Sequence, residues 1–172
     1  ARRAVCDINS TCPSDVLPMH AVNVAAGVVS VEADFRRGSI DNQPTLSISD
    51  ADGKNIAIVH AWSGRPDLIA IELPEDRRNF GNKQHGLADL TSPGRWFGLK
   101  LVINTVNRTT EAFVRSDRGR WVPLNKQPFP YYDPAARGTT WFLRLGTYKH
   151  KAVPNNVLEL DNIAVRQQTR SS

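Results

Sequence analysis

The stretch of sequence most informative about the fold is TTWFLRLGTYKH, residues 139–150. Apolar and polar side chains alternate along it, and successive side chains of a β-strand point to opposite faces of a sheet. One face of this predicted strand holds Leu143, Leu145 and Thr147, which suits a core. Hydrophobic packing does not require the guanidinium, phenol and imidazole of the opposite face, so that face predicts a functional site. The opposite face holds Phe142, Arg144, Gly146, Tyr148 and His150.

Alternating segments recur along the whole chain, whereas helical periodicity is almost absent. Turn-forming pairs such as Asp52-Gly53 and Pro93-Gly94 separate several of them. Many short strands joined by turns predict an all-β fold, a concanavalin-like jelly-roll sandwich of two antiparallel sheets. The predicted strands lie at residues 28–36, 45–49, 55–62, 68–73, 96–104, 111–115, 121–124, 140–149 and 157–166.

The length of 172 residues suits a single domain spanning residues 1–172. Residues 1–18 are predicted to form an irregular arm that contains both cysteines of the chain, Cys6 and Cys12. Their spacing favours one small disulfide loop over a metal site, because no second Cys/His pair stands at ligand spacing. Two longer polar insertions, 74–92 and 125–138, are of the length of functional lids or variable surface loops.

The formal charge of +5 and the pI of about 9.6 favour an acidic partner. The basic residues are scattered, which argues for an anionic polysaccharide rather than a nucleic acid. No apolar stretch approaches the roughly 20 residues that cross a bilayer. The absence of an initial Met and the sequons at Asn9 and Asn107, which we predict to be glycosylated, favour a secreted, extracellular protein. We expect a monomer.

Two further predicted strands carry polar groups. In the strand at 55–62, His60 shares a face with Trp62, and Arg65 in the following turn can reach over that face. His60 is either a structural histidine or part of a site, and Trp62 is either a core residue or a platform for a sugar ring. In the strand at 28–36 the charged face is either a solvated surface or the polar floor of a cleft. That face holds Glu32, Asp34 and Arg36.

These segments together resemble the jelly-roll polysaccharide lyases, a group that includes alginate, glucuronan and heparin lyases. Members carry a late strand of the form Tyr-Phe-Lys-x-Gly-x-Tyr, and residues 142–148 follow it with Phe142 in place of the first Tyr and Arg144 in place of Lys. Their Gln-x-His strand is matched by Ile58-Val59-His60, with Ile58 in place of the Gln that helps to neutralise the substrate carboxylate.

The resemblance extends over residues 28 to 166. The Arg-x-Glu-x-Arg strand of alginate lyases is echoed by the charged residues at 32, 34 and 36. A Gly-x-Trp strand opening is matched by Gly94-Arg95-Trp96, and the final strand contains Asp161-Asn162-Ile163, which resembles the Asp-Asn-Ile final strand that jelly-roll lyases share with non-catalytic lectins. The resemblance implies a lyase that cleaves a uronate-containing polysaccharide, of the alginate or glucuronan type, by β-elimination.

Such a lyase neutralises the C6 carboxylate, removes the C5 proton and protonates the departing O4. We expect His60 or Tyr148 to be the base and Tyr148 to be the acid, with Arg144 lowering the pKa of Tyr148. The candidate neutralising groups are Arg144, Arg36, Asn42 and Gln43. The further candidate substrate contacts are Trp62, Arg65, His150, Lys83, His85 and Tyr131.

The first alternative is a lectin-like jelly roll that binds carbohydrate without catalysis. A glycoside hydrolase ranks below it, because such enzymes need two carboxylates about 5–10 Å apart and Glu32 with Asp34 are a poor substitute. A nucleic-acid binder ranks last, since no basic run is interleaved with aromatic residues. We expect no redox or organic cofactor and no catalytic metal, while a structural calcium ion at Asp161 stays open.

Overall fold

The computed structural model describes residues 6–7, 20–23, 27–80, 89–148 and 157–169. Within these ranges every regular element is a β-strand, and the strands pair antiparallel into two sheets. The strands are β1 (Cys6–Asp7), β2 (His20–Asn23), β3 (Gly27–Arg37), β4 (Gln43–Asp50), β5 (Asn55–Ala61), β6 (Ile69–Leu73), β7 (Arg77–Phe80), β8 (Phe97–Asn104), β9 (Thr109–Ser116), β10 (Val122–Pro123), β11 (Phe129–Pro130), β12 (Thr140–Tyr148) and β13 (Val157–Thr169).

The strand order shows that distant parts of the chain are neighbours in each sheet. Sheet A has the order β1-β13-β3-β8-β9-β10, and β11 also pairs with β9. Sheet B has the order β2-β12-β4-β5-β6-β7. The late strand β12 therefore lies beside β4, which in turn lies beside β5, and this arrangement confirms the prediction of a jelly-roll sandwich.

The core lies between the two sheets and takes every second residue of the long strands. Sheet A contributes Phe35 and Phe97, whose rings stack at a centroid distance of 5.8 Å. Sheet B contributes Leu46, Val59 and Leu145, each at most 1% exposed. Burial of such side chains stabilises the fold by about 1.5–3 kcal/mol each, and it fixes which face of each strand is left for other roles.

All of the predicted strands are present, with small shifts at their ends. The prediction that residues 74–92 form a loop insertion is wrong in part, because this segment contains β7, which continues sheet B by pairing with β6. The insertion at 125–138 likewise holds the short strand β11. In the predicted irregular arm, Cys6–Asp7 forms β1 and pairs with β13, while Cys12 lies outside the described residues, so the disulfide stays a prediction.

Two further findings bear on the predicted partners. Among the described residues, none belongs to a helix long and apolar enough to cross a membrane. In the same part of the chain, no three or more His, Cys, Asp or Glu residues are grouped so that they could hold a metal ion. At Asp161 the carboxylate Oδ1 accepts a hydrogen bond from the Asn162 amide at 2.8 Å.

Candidate functional site

The face of sheet B that points away from the core carries the predicted site. Strand pairing places Gly146 beside Thr45 and Thr45 beside His60 in one row across the sheet. The next row runs from Arg144 through Ser47 and Ile58 to Glu72 and Arg78. Because the alternate residues of these strands fill the core, both rows share the other face, here called the outer face of sheet B.

His60 lies in the middle of this face and is held at both ring nitrogens. Its Nδ1 is 2.8 Å from the Thr45 hydroxyl, and its Nε2 is 3.1 Å from Oε1 of Glu72. The Thr45 hydroxyl also donates to the backbone carbonyl of Gln43 at 3.0 Å. His60 is only 2% exposed. The imidazole is therefore oriented by its neighbours and is shielded from direct contact with solvent.

Glu72 joins His60 to the edge of the sheet. Oε1 of Glu72 also accepts a hydrogen bond from Nε of Arg78 at 2.7 Å. Burial by itself raises the pKa of Glu72, but the hydrogen bonds from His60 and Arg78 outweigh it, so the pKa is lowered from its ordinary value. The carboxylate is thus kept ionised between an imidazole and a guanidinium.

An aromatic corner adjoins this network at the β7 edge. The Arg78 guanidinium lies 5.2 Å from the centroid of Trp62, in a cation–π contact. Trp62 meets Phe80 edge to face at 5.3 Å. Phe80 is 43% exposed, and Trp62 is half-buried. Exposed aromatic faces beside polar groups suit stacking against sugar rings.

Arg144 is placed on the same face as His60, as the alternation in β12 predicts. It lies two strands from His60 and one row away, which corresponds to about 12 Å between their Cα atoms. Its side chain is half-buried beside Ser47. Tyr148 pairs through its backbone with Gln43, one row beyond Thr45. The Tyr148 side chain and the residues His150, Lys83, His85 and Asn9 lie outside the described part of the chain.

Arg36 is not brought together with these residues. Strand β3 belongs to sheet A, so its charged face is on the opposite side of the sandwich from His60. Arg36 forms a two-pronged ion pair with Glu159, at 3.2 and 2.6 Å, and lies 4.8 Å from the Trp96 ring centroid. The strand between β5 and β12 is β4, not the charged strand β3. Beside His60 and Arg144 it places the uncharged residues Thr45 and Ser47.

The amide candidates at the start of β4 serve the fold. Asn42 is fully buried, and its Nδ2 donates to the carbonyl of Val157 at 3.3 Å. The Gln43 backbone amide donates to the Thr147 hydroxyl at 3.0 Å. Arg37, which the sequence did not single out, donates to the carbonyl of Asn42 at 2.8 Å. Burial lowers the pKa of Arg37 to about 10, against the opposing charge of Asp41.

Two other candidate residues, Arg65 and Tyr131, have partners within the protein, and the glycosylation predicted at Asn107 is a separate case. Arg65 is exposed and pairs with Asp67 through two hydrogen bonds, at 3.0 and 2.8 Å. Tyr131 is 5% exposed within the core cluster, where Arg108 lies 4.5 Å from its ring centroid. Its ring is therefore not presented to a ligand on the outer face of sheet B. Asn107 lies in an exposed turn, and its glycosylation stays a prediction.

Sequence reasoning missed Glu72, Arg78 and Phe80. In β6 the alternation of buried Ile69 and Ile71 with Glu72 was visible, but nothing in it identified His60 as the partner. Arg78 and Phe80 were assigned to an insertion, because the four exposed residues of β7 show no apolar alternation. An edge strand paired on one side only has little need for such a pattern.

Comparison with known proteins gives the fold but no family. No protein-family model matches this chain, and no curated protein matches its sequence. Among solved structures, a family 7 alginate lyase in complex with substrate matches with a TM-score of 0.52 and 10% identity, over 88% of this chain and 66% of that one. Sheep galectin-11 matches with a TM-score of 0.52 and 10% identity, over 91% of this chain and 100% of that one.

A third solved structure is the catalytic domain of a glycoside hydrolase family 131 protein from Coprinopsis cinerea. It matches with a TM-score of 0.52 and 10% identity, over 87% of this chain and 60% of that one. Lyase, lectin and hydrolase thus share this sandwich, and a fold by itself does not define the function of a site. The predicted resemblance to jelly-roll polysaccharide lyases is confirmed at the level of the fold.

Proposed function

We propose that this protein binds an acidic polysaccharide on the outer face of sheet B and cleaves it by β-elimination. The observation that carries the proposal is that β12, β4 and β5 are neighbours, so Arg144, His60 and the backbone of Tyr148 belong to one face. The proposed chemistry needs a cation to hold the carboxylate and a phenol to transfer protons, and Arg144 and Tyr148 supply these two groups in this proposal. Solved structures of carbohydrate-binding and carbohydrate-cleaving proteins with the same fold support it.

In the proposed reaction Arg144 pairs with the C6 carboxylate of a uronate and stabilises negative charge that develops at C5. The Tyr148 phenolate removes the C5 proton, the C4–O4 bond breaks as the C4–C5 double bond forms, and the Tyr148 phenol so formed donates the proton to O4. The elimination needs no external electron donor or acceptor, so the proposed reaction requires no redox or organic cofactor.

His60 acts in this proposal as a positioning residue. Both of its ring nitrogens are engaged, by Thr45 and by Glu72, which leaves Tyr148 as the better candidate for the base. The aromatic corner of Trp62, which follows β5, and Phe80 on β7 supplies a stacking surface about two to four strand spacings from β12, or roughly 10–19 Å. This span suits a polymer rather than a monosaccharide. We place the activity outside the cell, with the protein acting as a monomer.

A second candidate function is carbohydrate binding without cleavage. The observation that favours it is the same closed hydrogen bonding of His60, which a binding protein tolerates and a His-based lyase does not. Such a protein would keep Arg144 and the Trp62 corner as contacts and would make no use of the Tyr148 phenol.

One experiment separates the two. The wild type, Tyr148→Phe and Tyr131→Phe are incubated with alginate, glucuronan and heparin, and the absorbance of the unsaturated uronate product and the binding of each polymer are recorded. Tyr148→Phe is expected to lose about 10²- to 10⁴-fold in rate while it still binds. Tyr131→Phe is the matched control, because its ring lies in the core. Binding without product in the wild type refutes cleavage, and neither binding nor product refutes both functions.

A further inference from the structure

The outer face of sheet A carries a cluster that the proposed reaction does not use. It consists of Lys100 on β8, Phe113 and Arg115 on β9, and Trp121 just before β10, and it is called here the Trp121 patch. Lys100 pairs in register with Phe113, while the alternate residues Leu99 and Val114 are buried in the core. The patch therefore lies on the opposite side of the sandwich from His60.

Two cations in the Trp121 patch contact a single indole ring. The Lys100 ammonium lies 4.8 Å from the ring centroid of Trp121 and 5.0 Å from that of Phe113. The Arg115 guanidinium lies 4.4 Å from the ring centroid of Trp121. Two like charges so close together repel each other, so the arrangement favours a bound anion.

Two carboxylates of this face, those of Asp34 and Glu32, already have cationic partners. Asp34 accepts hydrogen bonds from Arg115, at 3.1 and 3.2 Å, and from Nδ2 of Asn162 at 2.7 Å. Glu32 is the register partner of Lys100, yet it pairs with Arg166. Within the described ranges no carboxylate forms a salt bridge with Lys100. Its half-buried ammonium is therefore a charge without a counter-ion from that part of the chain.

The nearby turn adds to the positive charge. Arg118 and Arg120 are exposed in the segment that leads into Trp121, with Asp117 as the one acid between β9 and that Trp. Burial, with the repulsion of Arg115, lowers the pKa of Lys100, which is what an adjacent anion would reverse. A half-buried indole ring bordered by cations suits an anionic ring that can stack.

We propose that the Trp121 patch is a second binding site, which takes an acidic sugar ring with its carboxylate or sulfate against Lys100 and the ring against Trp121. The proposal rests on the proposed function in one respect only, the choice of an acidic polysaccharide as ligand. A nucleic acid fits less well, because this face alternates acidic and basic residues and has no continuous row of cations to follow a phosphate backbone.

The test uses the full chain labelled with ¹⁵N in a Tyr148→Phe background, so that the ligand is not cleaved. The indole N–H signal of Trp121 is identified by its loss in Trp121→Phe, and it is followed during titration with glucuronan hexasaccharide, heparin-derived hexasaccharide, cellohexaose and oligo(dT). We expect the chemical shift of the Trp121 indole signal to change and saturate with one or both acidic sugars, and to stay unchanged with neutral cellohexaose. A response to glucuronan hexasaccharide assigns a carboxylate ligand, and a response to the heparin fragment alone assigns a sulfate ligand.

Variants define the site. Lys100→Gln is expected to weaken the affinity reported by Trp121 about tenfold, as the loss of one charge-assisted hydrogen bond does. Lys54→Gln is the matched control, because Lys54 lies in the hairpin between β4 and β5. Arg144→Gln is expected to leave the Trp121 response unchanged. Unaltered circular dichroism and thermal unfolding show that each variant is folded.

Several results would overturn the proposal: no movement with either acidic sugar, an equal response to cellohexaose, an equal affinity in Lys100→Gln, or a response to oligo(dT) alone. The proposed function fails separately. If no polysaccharide is cleaved while the Trp121 signal still responds to an acidic sugar, the lyase is refuted and the second site stands. If a polysaccharide is cleaved and the Trp121 signal does not respond, the lyase stands and the second site is refuted.

Discussion

Oε1 of Glu72 lies 3.1 Å from Nε2 of His60, in a contact where the His60 side chain is 3% exposed and the Glu72 side chain 9%. The same carboxylate oxygen accepts the Nε–H of Arg78, so one acid connects a central strand to the edge of sheet B. Breaking a buried hydrogen bond of this kind leaves a polar group without its partner. His60 thus depends on Glu72 for its orientation.

Replacing Glu72 by Gln should make stability less dependent on acid pH. The pKa of Glu72 is lowered in the folded state, so the unfolded chain binds more protons in the window below the ordinary value of about 4.3. The stability from Glu72 is therefore present above that value and is lost as pH falls through the lower folded pKa. We expect Glu72→Gln to cost about 1–3 kcal/mol near neutral pH and less in acid.

Urea denaturation near neutral pH and at about pH 3 measures this difference. Glu75→Gln is the matched control, since Glu75 is exposed in the turn between β6 and β7, and it should change the free energy of unfolding by less than about 0.5 kcal/mol. An equal cost of Glu72→Gln at both pH values would contradict the role assigned to its ionised form.

Asp50 organises the turn between β4 and β5, and its removal should destabilise the fold. Its Oδ1 accepts the backbone amides of Asp52 and Lys54, each at 2.9 Å, and its Oδ2 accepts the amide of Arg137 at 3.0 Å. Burial alone raises the pKa of Asp50, but these three hydrogen bonds outweigh it and lower the pKa. We expect Asp50→Ala to cost about 2–4 kcal/mol by chemical denaturation.

The neighbouring Asp52 gives the control, because its side chain is exposed at the tip of the same turn. Asp52→Ala should alter stability by no more than about 0.5 kcal/mol. The stability that Asp50 supplies is present above its ordinary pKa and is lost as pH falls through the lower folded value. If Asp50→Ala and Asp52→Ala behave alike, the three amide contacts do not stabilise the turn.

Gly98 leaves room for the ion pair between Asp34 and Arg115. An added Cβ at this position would lie 2.7 Å from Oδ1 of Asp34 and 2.9 Å from Cγ of Arg115, closer than van der Waals contact allows. We expect Gly98→Ala to cost about 1–3 kcal/mol, the usual effect of overpacking. The cost should fall in an Arg115→Ala background, which a double-mutant cycle of unfolding free energies measures. A cost unaffected by Arg115→Ala would place its origin elsewhere.

Arg144 and Arg36 test which sheet carries the site. Arg144 shares the outer face of sheet B with His60, whereas Arg36 pairs with Glu159 on sheet A. We expect Arg144→Gln to lower kcat/KM on the uronate polymer by roughly 10²-fold, mainly in kcat, because its charge acts on the developing carbanion. Arg36→Gln removes the same charge and should leave kcat/KM nearly unchanged. The reverse pattern would move the site to sheet A.

The alternation of side chains could be read from the sequence because it is a local property of a strand. It predicted β3 to β6, β8 to β10, β12 and β13 but not β1, β2, β7 or β11, and it placed Arg144 and the backbone of Tyr148 on one face of β12. It also placed His60 on the outward face of β5. The period of two residues is set by the pleat of the strand itself, so it needs no knowledge of the neighbours.

The pairing of strands could not be read in this way. The charged face of β3 and the His60 face of β5 lie on opposite sides of the sandwich, and no local pattern in either strand indicates this. The aromatic Tyr131 was predicted to stack on sugar, but the structure buries it under Arg108. Burial and long-range partners depend on how the sheets are assembled.

By itself, then, the sequence determined the all-β fold and which side chains share a face within each strand, since a short segment contains that information. Only the tertiary structure decided that β4 separates β5 from β12, that Glu72 and Arg78 hold His60, and that Arg36 lies on the other sheet. Those relationships join segments far apart in the chain, and their choice depends on burying one common core rather than on any local pattern.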